Sequence, residues 1–230
     1  MCREKFVKPV VDQEVLALRV RHKKWAAPYI KAHPNWIVND PSQWDGKWER
    51  RFPKKQPLNL EIGTGKGRFI NTIARKYPRI NFVGIEMEES VIAMALRTTV
   101  NNGLSNIQYV LANGNRVADF FQPHRIHRLF LNFSDPWPKR RHRKRRLTSL
   151  RFLAQYQTIL APNAPIEFKT DNRNFFEYSL KSFNNFGLVF DDVTLDLHHS
   201  KENEHNIMTE YEMKTMDKGP IYRIVVHFRN

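Results

Sequence analysis

From residue 58 onward, short apolar runs alternate with segments of helical periodicity, and this alternation constrains the fold more than any other feature. Five apolar runs, each followed by a predicted helix, are typical of strands: "LNLEIG", "NFVGIE", "IQYVLAN", "IHRLFLNF" and "APIEFKT". Two further strands, "LVFDDVTLDL" and "IYRIVVHF", have no predicted helix between them. The alternation predicts an α/β fold with a mostly parallel, doubly wound sheet of seven strands, and the last pair predicts an antiparallel C-terminal strand.

Residues 1–57 have a different composition, rich in Trp, Pro and basic residues. The segment "DQEVLALRVRHKKW" can hold a helix, but five prolines between residues 28 and 57 interrupt any long one. We expect residues 1–57 to form an extension wrapped on a domain of residues 58–230. The aromatic residues of the extension are interpreted as packing anchors rather than as site residues: Trp25, Trp36, Trp44 and Trp48.

The charge balance indicates a polyanionic partner. Lys and Arg number 38 against 23 Asp and Glu, a formal net charge of +15, which favours nucleic acid or an anionic membrane surface. The chain has no apolar run near the roughly 20 residues that span a bilayer and no signal-peptide pattern. Its single cysteine, Cys2, excludes an internal disulfide, and no Cys/His spacing suggests zinc. We expect a cytoplasmic protein without a metal and without a membrane association.

A glycine-rich turn, "EIGTGKGRF", joins the first strand to the first helix of the domain. Gly63, Gly65 and Gly67 permit a sharp turn and the close approach of a ligand, although a purely structural turn is the alternative. Their spacing is one residue tighter than the dinucleotide-binding fingerprint. Glu61, just ahead of the turn, would repel a pyrophosphate but suits a cationic ligand such as S-adenosylmethionine (SAM).

Polar residues also end the next two strands. Glu86 ends "VGIE", where a carboxylate can accept both hydroxyls of a ribose. Asn113 ends "LAN", where it is placed either to read an adenine or to stabilise a turn. Together with Glu61, these strand ends predict a SAM site.

The fourth strand leads into "NFSDPWP", whose prolines stiffen a loop that presents Asp135. Residues 139–146, "KRRHRKRR", follow directly and carry seven formal positive charges; we call them the basic block. A charge run is often a solvated face, but the position next to a candidate site favours binding of phosphates.

The motifs "EIGTGKGRF", "GIE", "NFSDPWPKRRHRKRRLT", "EFKTDNRNFFEYSL" and "TEYEMK" resemble, in this order, those of bacterial tRNA (guanine-N7-)-methyltransferases. The resemblance begins near Arg19, so that the first 18 residues are expected to be an extension beyond the usual start. It implies a Rossmann-like class I methyltransferase fold and methylation of the variable-loop guanine, position 46 in tRNA numbering, with SAM as the methyl donor. Asn113 departs from the family pattern, in which an acid is frequent.

The resemblance also implies roles for individual residues. Cofactor contacts fall on Glu61, Gly63, Gly65, Glu86, Asn113 and Asp135, and Asp135 is the catalytic candidate. Substrate contacts fall on Lys139, Asp171, Thr209, Glu210, Tyr211 and Glu212. RNA contacts fall on Arg141, His142, Arg143, Lys144, Arg145 and Arg146.

Several interpretations remain open from the sequence. Guanine N7 carries no proton, so we predict that Asp135 positions the base and stabilises its positive charge rather than acting as a general base. Asp171 is alternatively a helix N-cap, and by pattern alone residues 209–212 resemble an edge strand.

The rival functions are a methyltransferase for another RNA or for an exocyclic amine, a non-catalytic RNA-binding protein on the same scaffold, and a nicotinamide-dependent oxidoreductase. The last is disfavoured by the glycine spacing. A monomer and a homodimer are both compatible with the sequence.

Overall fold

A single sheet of eight strands runs through residues 22–229, the part of the chain that the computed structural model describes. Its strands are β1 (Ile37–Val38), β2 (Leu58–Ile62), β3 (Asn81–Glu86), β4 (Ile107–Leu111), β5 (Ile126–Asn132), β6 (Ile166–Thr170), β7 (Val189–Thr194) and β8 (Tyr222–His227). They lie in the order β1-β4-β3-β2-β5-β6-β8-β7. The pairs from β1 to β6 are parallel, and β8 runs antiparallel between β6 and β7. The predicted mostly parallel sheet with an antiparallel end is confirmed.

The prediction of seven strands is wrong by one strand. The additional strand, β1, comes from residues ahead of the predicted domain and pairs in parallel with β4, Ile37 opposite Tyr109 and Val38 opposite Val110. The backbone N–H of Tyr109 also donates to the carbonyl of Trp36 at 2.7 Å. Two residues are too short for a recognisable period of two, so the sequence pattern does not reveal this edge strand.

Helices cover both faces of the sheet. One apolar cluster joins the sheet to α1 (Ala26–Ala32), α2 (Arg68–Lys76) and α3 (Glu89–Asn101). A second cluster, on the other face, joins it to α4 (Leu150–Ile159) and α5 (Arg173–Phe186). The doubly wound arrangement follows because parallel strands bury both of their faces and need a helical layer on each.

The segment ahead of the domain packs on this framework through its aromatic side chains. Trp48 is buried, stacks on Phe121 and donates its indole N–H to the carbonyl of Phe120 at 2.6 Å. Trp36 donates to the carbonyl of Leu104 at 3.0 Å. Most of the segment "DQEVLALRVRHKKW" lies outside the described residues, and the division at residue 57 stays a prediction.

Residues 209–212, predicted from their pattern to be an edge strand, instead begin a helix, α6 (Glu210–Thr215). Alternating polar and apolar residues over so short a segment do not distinguish a strand from one turn of helix. Among residues 22–229, α6 and the other helices are all too short or too polar to cross a bilayer.

The strand register brings the candidate residues together at the carboxyl edge. Glu61 of β2 lies opposite Gly84 of β3 and Phe130 of β5. On the far side of β5, Asn132 lies opposite Lys169 of β6. The ends of four adjacent strands therefore form one continuous row at this edge, where ligands bind in open α/β sheets.

Candidate active site

The glycine turn is open toward solvent on one side and closed on the other. A Cβ built on Gly67 would lie 2.5 Å from Cβ of Ala95, so this glycine permits the packing of α2 against α3. Gly63 and Gly65 have positive φ angles of 81° and 57°, and no atom lies within 4 Å of a Cβ built on either. The turn therefore leaves free space beside its backbone, as a ligand cradle requires.

Glu61 is a buried carboxylate at the end of β2, with a fractional exposure of 2%. Its Oε1 accepts a hydrogen bond from Nδ2 of Asn132 at 2.9 Å, and its Oε2 accepts one from the hydroxyl of Thr64 at 2.6 Å. Burial raises the pKa of Glu61 to about 7, and the two hydrogen bonds only partly offset this effect. A carboxyl group whose pKa is raised in this way by burial is typical of functional sites.

Two buried polar atoms at and just beyond the end of β5 lack hydrogen-bond partners. Within residues 22–229, Oδ1 of Asn132 and the hydroxyl of Ser134 have none. Each such atom costs about 1–3 kcal/mol when it is left unsatisfied. Their common position at the end of β5 favours a polar ligand that would complete these bonds.

Glu86 is fixed by three backbone N–H groups. Its Oε1 accepts from Met87 at 2.8 Å and from Glu88 at 3.0 Å, and its Oε2 accepts from Gly65 at 3.0 Å. The carboxylate therefore ties the end of β3 to the glycine turn. Only Oε2 keeps an acceptor position for a ribose hydroxyl, one fewer than the two interactions predicted from the sequence.

Asn113 follows β4 and caps the 3₁₀-helix Gly114–Asp119. Its Oδ1 accepts from the backbone N–H of Asn115 at 3.0 Å. One lone pair of the oxygen is engaged in this cap, so the second lone pair and the amide N–H₂ remain to contact a ligand.

The loop after β5 presents Asp135 in a constrained conformation. Phe133 and Trp137 adopt positive φ angles of 48° and 41°, which cost on the order of 1–3 kcal/mol each in residues other than glycine. Asp135 is exposed, and its Oδ1 accepts from the backbone N–H of Trp137 at 3.0 Å. This bond fixes the direction of the carboxylate and leaves Oδ2 for a ligand.

Arg146, predicted to contact RNA, is instead buried, with a fractional exposure of 6%. Its Nε donates to the carbonyl of Pro136 at 2.7 Å and its Nη2 to that of Trp137 at 3.2 Å. The guanidinium lies 4.3 Å from the ring centroid of Tyr178. The RNA contact predicted for Arg146 stays a prediction that this geometry does not favour, because these bonds direct the guanidinium inward, where it holds the Asp135 loop.

The rest of the basic block is a 3₁₀-helix, Arg140–Arg145, that extends into solvent. Its exposed members are Lys139, Arg140, Arg141, Arg143, Lys144 and Arg145. His142 is half-buried edge-on against Trp137, and desolvation and the surrounding cations lower its pKa. The exposed members form one positively charged surface beside Asp135.

Thr209 and Glu212 have structural roles in α6. They form a capping box, in which the Thr209 hydroxyl accepts from the Glu212 N–H at 2.9 Å and the Glu212 carboxylate accepts from the Thr209 N–H at 3.3 Å. Glu212 is completely buried and also accepts from Nζ of Lys169 at 2.8 Å. The substrate contact predicted for Glu212 stays a prediction that this geometry does not favour, because the side chain has no exposed surface.

Lys169 is the buried residue that sequence reasoning missed. Its Nζ donates to Glu212, to Oδ1 of Asn206 and to the carbonyl of Ile207, which satisfies all three of its donors. Burial raises the pKa of Glu212, but the charge of Lys169 and the hydrogen bonds outweigh this effect, so that the pKa of the Glu212 carboxyl is lowered.

Tyr211 and Glu210 place α6 over the site. The Tyr211 hydroxyl donates to Oδ2 of Asp171 at 2.8 Å, and its ring lies 5.2 Å from that of Phe133 in the Asp135 loop. Burial, followed by the contact with Asp171, raises the pKa of Tyr211 to about 12. Glu210 pairs with Lys66 of the glycine turn at 3.0 Å. The helix thus connects the two loops that flank the site.

Asp171 is exposed, and it is not the N-cap of α5. That position belongs to Asn172, whose side chain accepts from the N–H of Phe175 at 2.9 Å. Apart from its bond to Tyr211, Asp171 is therefore available at the end of β6.

Comparison with known proteins places the chain among methyltransferases. A family model described as "Putative methyltransferase" matches residues 55–224. Solved structures share the fold at low identity: an antibiotic-related methyltransferase has a TM-score of 0.62 at 17% identity, covering 84% of this chain and 98% of its own. The 16S rRNA methyltransferase KamB has a TM-score of 0.60 at 16% identity, covering 81% and 94%.

Curated relatives are much more similar in sequence. The tRNA (guanine-N(7)-)-methyltransferase of Limosilactobacillus reuteri is 51% identical over 213 residues, which cover 92% of this chain and 100% of the relative. That of Lactiplantibacillus plantarum is 53% identical over 211 residues, covering 92% and 99%. Half of the residues are thus shared over nearly the whole length of both proteins, and the chain belongs to the family of tRNA (guanine-N(7)-)-methyltransferases.

Proposed function

We propose that the protein transfers a methyl group from SAM to N7 of the variable-loop guanine, position 46, of tRNA. The observation that carries this proposal is one continuous edge of the sheet. It holds a buried carboxylate with an open glycine turn, the unpartnered polar atoms of Asn132 and Ser134, the exposed Asp135 and the exposed part of the basic block.

The residues present fit SAM. Glu61 and the orphaned Oδ1 of Asn132 are acceptors for the ammonium group of its methionine part, and Oε2 of Glu86 is an acceptor for a ribose hydroxyl. The amide N–H₂ of Asn113 is a donor for the adenine ring, whose ring nitrogens are acceptors. When bound, SAM supplies an electrophilic methyl group on a sulfonium.

Asp135 has two tasks in this proposal. Its Oδ2 holds the guanine by accepting from N1–H and the exocyclic N2–H, while Oδ1 remains fixed by Trp137. Methylation at N7 places positive charge on the base, and a preorganised carboxylate stabilises that charge. Because N7 bears no proton, the residue does not need to accept one. Asp171 and Lys139 are exposed beside the same loop and are proposed to contact the nucleotide.

The pH dependence of SAM binding tests the cofactor site. Since burial raises the pKa of Glu61 to about 7, a proton must leave before the carboxylate pairs with a cationic ligand. SAM affinity should therefore fall about tenfold per pH unit below 7, and Glu61 should cause no further change above it. Calorimetric titration from pH 5.5 to 8.5 measures this effect. Glu61→Gln is the matched control, because it keeps the size of the side chain and retains only the titration of the ligand.

If the SAM affinity of Glu61→Gln fell with decreasing pH as steeply as that of the wild-type protein, Glu61 would not be the titrating group. If the wild-type protein failed to bind SAM at any pH, the rival interpretation of a non-catalytic RNA-binding protein would be favoured.

The exposed residues of the basic block and its buried Arg146 should have different functions. Replacing Arg141, Arg143 and Arg145 with Ala should weaken tRNA binding. It should also reduce the salt slope, the steepness with which the logarithm of the binding constant falls with the logarithm of the salt concentration, by about 0.7–0.9 for each phosphate that is no longer neutralised. Arg146→Ala should leave the salt slope unchanged but lower kcat, because it releases the Asp135 loop. Filter binding at several salt concentrations and steady-state kinetics measure the two effects.

Two results would contradict this division. Unchanged tRNA binding by the triple variant would make the block a solvated face. A flattened salt slope for Arg146→Ala would mean that this residue contacts RNA after all.

A further inference from the structure

A second basic surface lies on the opposite flank of the candidate site. It is a groove between α2 and α3 whose wall includes Lys66, Arg68, Arg75 and Arg97. Neutral polar side chains, among them Thr72 and Thr98, line most of the rest, together with Met94 and Glu210.

The charge of this groove is largely uncompensated. Among the described residues, the only acid that lines it is Glu210, which already pairs with Lys66 at 3.0 Å and with Lys214 at 2.6 Å. Arg68 and Arg75 form no ion pair with any residue of the range 22–229. Such a surface, with several cations and hydroxyl donors and its acid already paired, is typical of contacts with a phosphate backbone.

The position of the groove connects it to the site. It begins at Lys66 within the glycine turn and continues along α2 to Arg75 in the last turn of that helix. Helices α2 and α3 cover one face of the sheet, whereas the basic block follows β5 and its Arg146 packs on Tyr178 of α5, on the other face. The two basic surfaces therefore flank the carboxyl edge from opposite sides.

We propose that the groove between α2 and α3 binds phosphates of the same tRNA, so that the RNA crosses the carboxyl edge and is held on both flanks of the target guanine. This inference rests on the proposed function for the identity of its ligand. It assigns to α2 and α3 a binding role that is separate from the basic block.

Two neighbouring substitutions test the groove. Arg75 and Lys76 are both exposed and both lie in the last turn of α2, but only Arg75 lines the groove. Arg75→Glu and Lys76→Glu therefore change the net charge and the helix terminus by the same amount. Arg75→Glu should weaken binding of unmodified tRNA roughly tenfold and reduce the salt slope by about 1, whereas Lys76→Glu should change the affinity no more than about threefold.

Filter binding over a range of salt concentrations measures both variants, with thermal melting to show that they are folded. If the two substitutions changed tRNA affinity and the salt slope equally, whether by much or by little, the groove would not be an RNA-binding surface. Methyl transfer by the wild-type protein is measured on the same tRNA. Its absence would count against the proposed function, while the binding comparison would still decide the role of the groove.

Discussion

Replacing Asp135 with Asn should lower kcat on tRNA about a hundredfold under saturating SAM, the size of effect expected when one preorganised electrostatic interaction is removed. Asn preserves the volume of the side chain and can still accept from the N–H of Trp137, so the loop keeps its conformation. What the substitution removes is the negative charge that stabilises the methylated guanine. Asp135→Ala should lower kcat further, because it also removes the bond to Trp137.

Steady-state kinetics with saturating SAM and varied tRNA measure this decrease. Asp119→Asn serves as a control, since Asp119 is a partly exposed acid paired with Arg116 in the 3₁₀-helix after β4. Wild-type turnover by Asp135→Asn would show that charge stabilisation is not the role of this residue.

Lys169→Met should destabilise the protein by about 3–5 kcal/mol, because it removes the ammonium group that pairs with the buried carboxylate of Glu212 and leaves only hydrogen bonds from His198, Asn206 and the Thr209 N–H. Both side chains have exposures of 1% or less, so water cannot take the place of the missing ammonium group. Since Glu212 caps α6, the substitution should also loosen the helix that carries Tyr211 over the site. Urea denaturation measures the free energy of unfolding, and a decrease in kcat measures the effect of the loosened helix on the site.

A double-mutant cycle separates the ion pair from the rest of the core. Glu212→Gln keeps the shape of the side chain but leaves Lys169 charged, so this variant should also be destabilised. The double variant has no unpaired buried charge at this position and should be more stable than the sum of the single effects by about 1–3 kcal/mol. Simple additivity, or a destabilisation below about 1 kcal/mol for Lys169→Met, would contradict a strong buried pair.

The framework of the fold could be predicted from the sequence because its signals are local. The runs that became β2 to β6 are five to seven residues long, place apolar residues among polar ones, and are each followed by a segment of helical periodicity. Their parallel order follows from the helices between them. The strand β1 could not be predicted, because two residues pair with β4 through backbone bonds that leave no side-chain pattern.

The candidate site was only partly predictable, because several of its residues act through interactions with residues that are distant in sequence. Glu61, Glu86 and Asp135 lie at the predicted strand ends. Arg146 was indistinguishable from its neighbours in a run of cations, and only its burial under Pro136 and Trp137 separates it from them.

Two local signals pointed to the parts that sequence reasoning missed. "TEYE" has the Thr-x-x-Glu spacing of a capping box, which would have indicated α6. Lys169 stands within the predicted central strand "IEFKT", and a buried lysine requires a partner.

The central claim is tested most directly by transfer of labelled methyl from SAM to unmodified tRNA, followed by digestion to nucleosides and their separation. We predict a single labelled product, 7-methylguanosine, and its disappearance when the variable-loop guanine at position 46 is replaced with adenine. Label on any other atom, or undiminished labelling of the substituted tRNA, would contradict the proposed reaction.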